Sequence, residues 1–305
     1  MFLARLFANP YLLLTLTTLI WGGNAIASRL AVGEVTPAVL VSFRWIGVVI
    51  LVVLFARGPV VRDWPELRRH LPYLLIMGTV GFTAFNTLFY IAAHSTEALN
   101  IGILQGSIPI YVLLGAFVAY RSPVSGLQMI GVAVTILGVI LVAARGDPSR
   151  LVELRFNLGD LLMLIACALY AAYTVGLRRR PEVSGLAMFA AMSIGALVAS
   201  VPLLAVEVVR GAFLWPTSEG WAIIAFVVAG PSFLSQIFFM RGVELVGPGR
   251  AGVFVNLVPV FAAGLSVLIL GEHFAVYHGL ALGLVLGGIA LSERGKPKSA
   301  PAAGD

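Results

Sequence analysis

The run Arg250-Ala-Gly-Val-Phe-Val-Asn256-Leu-Val-Pro259-Val-Phe-Ala-Ala263 sets a proline near the middle of a long apolar stretch, and Pro109 repeats the placement 150 residues earlier. The same offset aligns Phe89 with Phe239, Gly102 with Gly252 and Asn86 with Gln236. An aromatic ring, an amide, a glycine and a proline recurring in one order read as two copies of one unit. Inside a helix each proline removes a hydrogen bond and frees the carbonyl four residues before it, which hydrocarbon cannot satisfy. Matched interruptions in two halves point to a substrate pathway, while the plainer reading is a tolerated kink in each half. Pro109 and Pro259 are therefore expected to act as kink or gating points.

Outward from this pair, the chain is apolar nearly throughout. Hydrophobic residues make up 60% of its 305 residues and charged ones 11%, with a mean hydropathy of +1.00, values that no water-facing surface carries. Ten stretches have roughly the 20-residue length that crosses a bilayer core as a helix. They run over 11–32, 38–56, 72–93, 98–120, 124–144, 158–177, 186–206, 221–240, 248–270 and 275–291. The expectation is an all-α polytopic membrane protein. Its ten transmembrane helices form two five-helix repeats, 1–147 and 148–295, joined at the turn-rich Gly146-Asp147-Pro148, and residues 296–305 read as a disordered tail. An odd number of crossings per unit makes the second copy enter from the opposite side, so the repeats are expected to be inverted. Ala25-Ile26-Ala27 offers a signal-peptidase site. At an offset of 149, however, Trp21 aligns with Tyr170, Asn24 with Tyr173 and Arg29 with Arg178, so the first span has a partner that cleavage would orphan.

The net charge of +6 is scattered over short loops without a basic stripe or stacking platform, which argues against nucleic acid. Membrane topology accounts for it better. With a cytoplasmic N-terminus, 14 Lys and Arg fall inside and five outside, Arg44 being left within a span. That bias expects both termini in the cytoplasm; the loop from Arg145 to Arg155 runs against it. The single cysteine, Cys167, allows no internal disulfide.

Helical spacing gathers a candidate lining. Phe82, Phe85, Asn86 and Phe89 share one face, Ser232, Ser235, Gln236 and Phe239 another, and Trp21 and Asn24 lie with Thr17 and Ser28 on a third. Tyr170 and Tyr173 add rings, and Gln105 and Asn256 precede the two prolines by about one turn. Amides are costly toward lipid, so they are expected inside the bundle, either bonding helices together or meeting substrate. Rings in spans more often pack than bind. Glu97, Asp160, Glu207, Glu244 and Glu272 sit at span ends, as do the four histidines, so no carboxylate relay is read and facilitated diffusion is the default. Arg44 has two readings, a side chain snorkelling outward or a counter-ion for a substrate carboxylate. No cofactor or metal site is read, and an intramembrane enzyme would need a nucleophile and base, or metal ligands, at one depth. Gly279, Gly283 and Gly287 repeat every four residues in the last span. They suit either a homodimer or contact with Gly131 and Gly138 of the fifth span.

The run quoted above, with Gly230-Pro-Ser-Phe-Leu-Ser-Gln236, Arg241 and Gly271-Glu272, resembles the EamA family of the drug/metabolite transporter superfamily over essentially the whole chain. The first half shows a weaker version from Phe85-Asn86 to Pro109, with Tyr120-Arg121 where a Gly-Glu pair is expected. The resemblance implies a ten-helix bacterial inner-membrane exporter of small metabolites with a central cavity between its halves. Within the family it is similar to exporters of aromatic amino acids. A lining of rings and amides without a cluster of cations suits neutral or zwitterionic cargo, aromatic or large apolar amino acids before phosphorylated sugars.

Overall fold

A computed structural model describes residues 7–147, 157–246 and 248–295. The expected tail, 296–305, and the linker beyond Asp147 lie outside the described residues. Within them the chain is helical and antiparallel in its connections. The elements are α1 (Pro10–Leu30), α2 (Pro37–Phe55), α3 (Arg57–Arg69), α4 (Leu71–Ala92), α5 (Ala98–Gln105), α6 (Ile108–Tyr120) and α7 (Gly126–Ala143). They continue as α8 (Leu158–Gly176), α9 (Gly185–Val209), α10 (Ser218–Val246), α11 (Pro248–Val255), α12 (Val258–Leu270) and α13 (Val276–Arg294).

Nine helical segments among the described residues are long and apolar enough to cross a membrane, and the tenth apolar stretch is the two-part α11 and α12. Large side chains such as Leu268 at 82%, Val276 at 80% and Val209 at 87% relative exposure stand on the outer surface. Water would penalise that surface and lipid does not. Local chemistry starts the helices where the chain turns. Asn9, Asn157, Ser184 and Thr217 each accept a hydrogen bond from a backbone N–H of the first turn, and Ser125 and Gln128 form a capping box at α7. The short polar α3 is the exception to the pattern and has only Leu67 buried.

The architecture repeats at the offset read from the sequence. The α5–α6 pair recurs as α11–α12, and Arg121 and Gly271, which end α6 and α12, are both left-handed, at φ 52° and 65°. This alignment pairs Ser122, rather than Arg121, with Glu272, which corrects the position assigned to the missing acid. Each copy also has a π-helical turn in its third long helix, Thr79–Ala84 in α4 and Val228–Leu234 in α10. Such turns insert an extra residue and re-aim the side chains that follow.

The prolines do not kink continuous helices. Around Gly106-Ser107 and at Asn256-Leu257 the helix stops, and Pro109 and Pro259 stand in the first turn of a new one. Ser107 N donates to Leu104 O at 2.9 Å and Leu257 N to Phe254 O at 2.8 Å, so each break is a tight i to i−3 turn. A missing N–H has no cost in a first turn. The rings therefore set where the second half-helix begins.

The copies are not packed alike. α5 lies along α12 with all residues from Ala98 to Leu104 buried, and a Cβ added at Gly102 would come within 2.4 Å of Ala262 Cβ. α11 packs instead on α10 and α1, and Gly252 faces open space. The Glu272 carboxylate fastens the closed side, accepting from Ala98 N at 2.9 Å and Leu99 N at 2.8 Å at the start of α5.

The last span packs on the fifth, but through other residues than the glycine series. Gly131 abuts Gly288 and Ser292, Gly138 abuts Ala281 and Val285, while Gly283 and Gly287 have nothing within 4 Å. At four residues per step a series drifts about 40° each time around a 3.6-residue helix, and the contacting face is the one carrying Ala281, Val285 and Gly288.

Candidate functional site

The two helix breaks and the two π turns converge on one central cavity of about 150 Å³. At roughly 10–15 Å³ per water, it has room for a solute of about a dozen non-hydrogen atoms. Of the residues expected in the lining, Trp21, Asn24, Phe82, Phe85, Asn86, Gln105, Tyr170, Gln236 and Asn256 border it, together with Pro109 and Pro259. Ser232 borders it too; Thr17 and Ser28 do not, and neither do four residues on which the expectation rested more heavily, Phe89, Tyr173, Ser235 and Phe239.

Each of those four has a physical account. Phe89, 1% exposed, lies a turn beyond Phe85 toward the closed Glu272 end and packs edge-on against Tyr90. Tyr173 stands behind the lining, its ring 5.4 Å from both Phe82 and Tyr170. Ser235 is fully buried and donates its hydroxyl to Pro231 O at 2.6 Å, while Phe239 backs Trp21 at 5.4 Å between ring centres. These residues shape the wall from its second layer.

The π turn of α10 presents a backbone acceptor. Pro231 has no N–H, and its carbonyl receives Trp21 Nε1 at 3.2 Å, which pins the indole against the cavity. In α4 the corresponding turn sets Phe82 flat against Trp45, centroids 4.9 Å apart and 11° between planes. Trp45, Phe189, Pro231 and Ile108 line the cavity without having been expected there. Trp45 stands next to the inward-turned Arg44 on α2, and the buried Ser193 and Ser200, four and eleven residues after Phe189, mark its face of the largely apolar α9.

Arg44 overturns the snorkelling reading. Its side chain turns into the bundle from the middle of α2, leaving the residue 6% exposed, and borders the cavity. Nη1 donates to Asn86 Oδ1 at 2.8 Å, to Asn24 Oδ1 at 3.4 Å and to the Tyr90 hydroxyl. Tyr90 in turn donates to Asn24 Oδ1 at 3.1 Å, and Asn86 Nδ2 to Phe82 O at 2.6 Å. The guanidinium is thus held by neutral dipoles and by the ring faces of Trp45 and Tyr90, with Cζ 5.5 and 6.0 Å from their centres. In the second copy the counterparts of Asn24, Arg44, Asn86 and Tyr90 are Tyr173, Ser193, Gln236 and Met240, so the charge belongs to one repeat only. Among the described residues no group of three or more His, Cys, Asp or Glu stands together as metal ligands.

The profile of the EamA-like transporter family matches residues 9–144 and 157–294, one match per repeat. An uncharacterized transporter of Bacillus subtilis strain 168, YyaM, is 23% identical, covering 92% of this chain and 92% of its own. A second from that strain, YetK, is 24% identical over 97% of this chain and 90% of its own. The uncharacterized inner membrane transporter YedA of Escherichia coli K12 is 24% identical over 91% and 88%. A solved crystal structure, described only as that of a protein, superposes with a TM-score of 0.64 at 17% identity, covering 93% of this chain and 96% of that one.

Proposed function

Because the chain belongs to the EamA-like transporter family, we propose that it is an inner-membrane exporter of aromatic or large apolar amino acids working by facilitated diffusion. The protein is a multi-pass membrane transporter; the substrate and the mechanism are our reading. The observation that carries it is the central cavity, where the two broken helices bring amides from both repeats among the rings of Trp21, Phe82, Phe85 and Tyr170. Rings give apolar mass a specific partner, at about 0.5–1.5 kcal/mol per pair beyond burial. Gln105, Gln236 and Asn256 supply uncharged hydrogen-bonding groups, and a site of this kind prefers Phe or Trp over Ala while still releasing them. The lining residues include no Asp, Glu, Lys or His, which supports passage without a proton relay.

In this reading the repeats are inverted and both termini cytoplasmic, so α5 closes the outer half of the pathway and α11 the inner half, in turn. The close packing of α5 and the open space at Gly252 correspond to the state facing the cytoplasm. A second copy seated on the face of Gly279, Gly283 and Gly287 would complete the assembly. Counterflow of labelled amino acids in proteoliposomes, with and without a pH gradient, tests the proposal. Phe and Trp should exchange faster than Ala and be indifferent to the gradient. Uptake of Ala equal to that of Phe, or flux only with a gradient, would replace this reading by a proton-coupled, broad-specificity exporter of the same fold.

A further inference from the structure

We infer that Arg44 is an anion site for the substrate carboxylate and that the substrate's amino group is dispensable, so that the cargo class is ring-bearing monocarboxylates, with amino acids as one member. The inference rests on the transporter reading above and deepens it. A guanidinium is a permanent cation with five donors and no acceptor, and burying it without a counter-charge is expensive. Among the described residues no carboxylate lies within ion-pair distance of Arg44, its Nη1 contacts are all neutral, and its Nε has no hydrogen-bond partner. Two further buried nitrogens of the same lining, Trp45 Nε1 and Gln105 Nε2, are also without protein partners.

All three atoms are donors. Arg44 and the indole of Trp45, the latter 2% exposed, have no alternative role as acceptors. A cavity whose buried unpartnered side-chain atoms are donors, and whose only formal charge is positive, is complementary to an acceptor carrying one negative charge. A carboxylate offers two oxygens and about four lone-pair sites to the fork of an arginine. Toward an ammonium the lining offers only uncharged acceptors, the side-chain oxygens of Gln105, Gln236 and Asn256, because it contains no acid and the Asn24 and Asn86 carbonyl oxygens are already engaged by Arg44. Phosphate esters, with two charges and a larger headgroup, would face one cation only.

The test uses the full chain in proteoliposomes preloaded with labelled phenylalanine, with four competitors: phenylalanine, 3-phenylpropionate, phenylalaninamide and hexanoate. We expect 3-phenylpropionate to compete within a few-fold of phenylalanine and phenylalaninamide to be weaker by about ten-fold or more, the usual scale of a lost charge-assisted pair. Asn86→Asp gives the guanidinium an internal carboxylate, and should weaken both carboxylates by a similar factor while raising the melting temperature in detergent. Arg44→Gln should erase the distinction between acid and amide. Equal competition by acid and amide in the wild type, or phenylalanine carried while 3-phenylpropionate is ignored, overturns the inference and leaves the ring reading standing. If no aromatic solute is carried, yet hexanoate raises the melting temperature of the wild type and not of Arg44→Gln, the anion site stands and the aromatic reading falls.

Discussion

Replacing Gly102 by Ala tests whether α5 is the moving part of a gate. In the structure a Cβ at this position would lie 2.4 Å from Ala262 Cβ, where carbon atoms prefer about 3.5–4.0 Å. The two helices must part by more than about 1 Å, or side chains leave their rotamers, at a typical overpacking cost of about 1–3 kcal/mol. That cost falls only on the state in which α5 lies on α12. A gate balanced between two states within a few kcal/mol would shift its population about ten-fold for each 1.4 kcal/mol. Gly252→Ala is the matched control. Nothing lies within 4 Å of it here, and if the copies exchange roles its methyl meets Val112, the counterpart of Ala262, only in the opposite state. Spin labels at Ser95→Cys and His273→Cys, both exposed and flanking the closed end, read the separation by electron double resonance. Gly102→Ala should broaden the distances and move them outward, and Gly252→Ala should sharpen them. Distances unchanged in both variants would refute the gate.

Other expectations follow from the same geometry. Glu272→Gln keeps one acceptor but loses the charge on two backbone hydrogen bonds, for about 1–3 kcal/mol, and should open the same labelled pair. Trp21→Ala removes a ring held by Pro231 O and should slow Phe and Trp in proteoliposomes more than Ala. The Arg62 side chain and the Ser184 N–H hold the Asp63 carboxyl well below the usual carboxylate range. The stabilisation this gives is present above the ordinary carboxylate value and is lost as pH falls through the depressed one. The melting temperature of the wild type should therefore drop in strong acid relative to Asp63→Asn, and equal slopes would contradict the assignment. A cytoplasmic reporter fused after Asp305 should be active and a periplasmic one silent.

Much of the fold is readable from residues because bilayers allow few solutions. Ten apolar stretches, a 150-residue offset and paired prolines lead to the helical bundle and to the position of both breaks. What Pro109 and Pro259 do there was not legible, since a proline is compatible with a kink inside a helix or with the first turn of a new one. The lining was legible where polarity marks a face, as for Asn24, Asn86 and Gln236. It failed at Phe89 and Tyr173, where depth along the helix and a second layer of rings decide the outcome. The inward turn of Arg44 depends on Asn24, Asn86 and Tyr90 meeting it from two other helices, a convergence that a one-dimensional pattern does not contain.

The Glu272 clamp has no twin. Ser122 stands where the acid would be in the first copy, and Pro248, which has no N–H, stands where Ala98 donates. One conformation of the empty carrier is therefore favoured by a term the other lacks. A passive carrier cannot convert that bias into net pumping, because the ratio of maximal rate to half-saturating concentration must be equal in both directions. It can make the two faces unequal. A face whose open form is well populated binds at nearly its intrinsic affinity, and the opposite face is weakened in proportion to how seldom it opens. Half-saturation should then be lower on the side away from Glu272, with a correspondingly lower ceiling on flux. The carrier would saturate at modest solute levels on that side, while entry from the other would begin with the same slope and level off only at higher concentration.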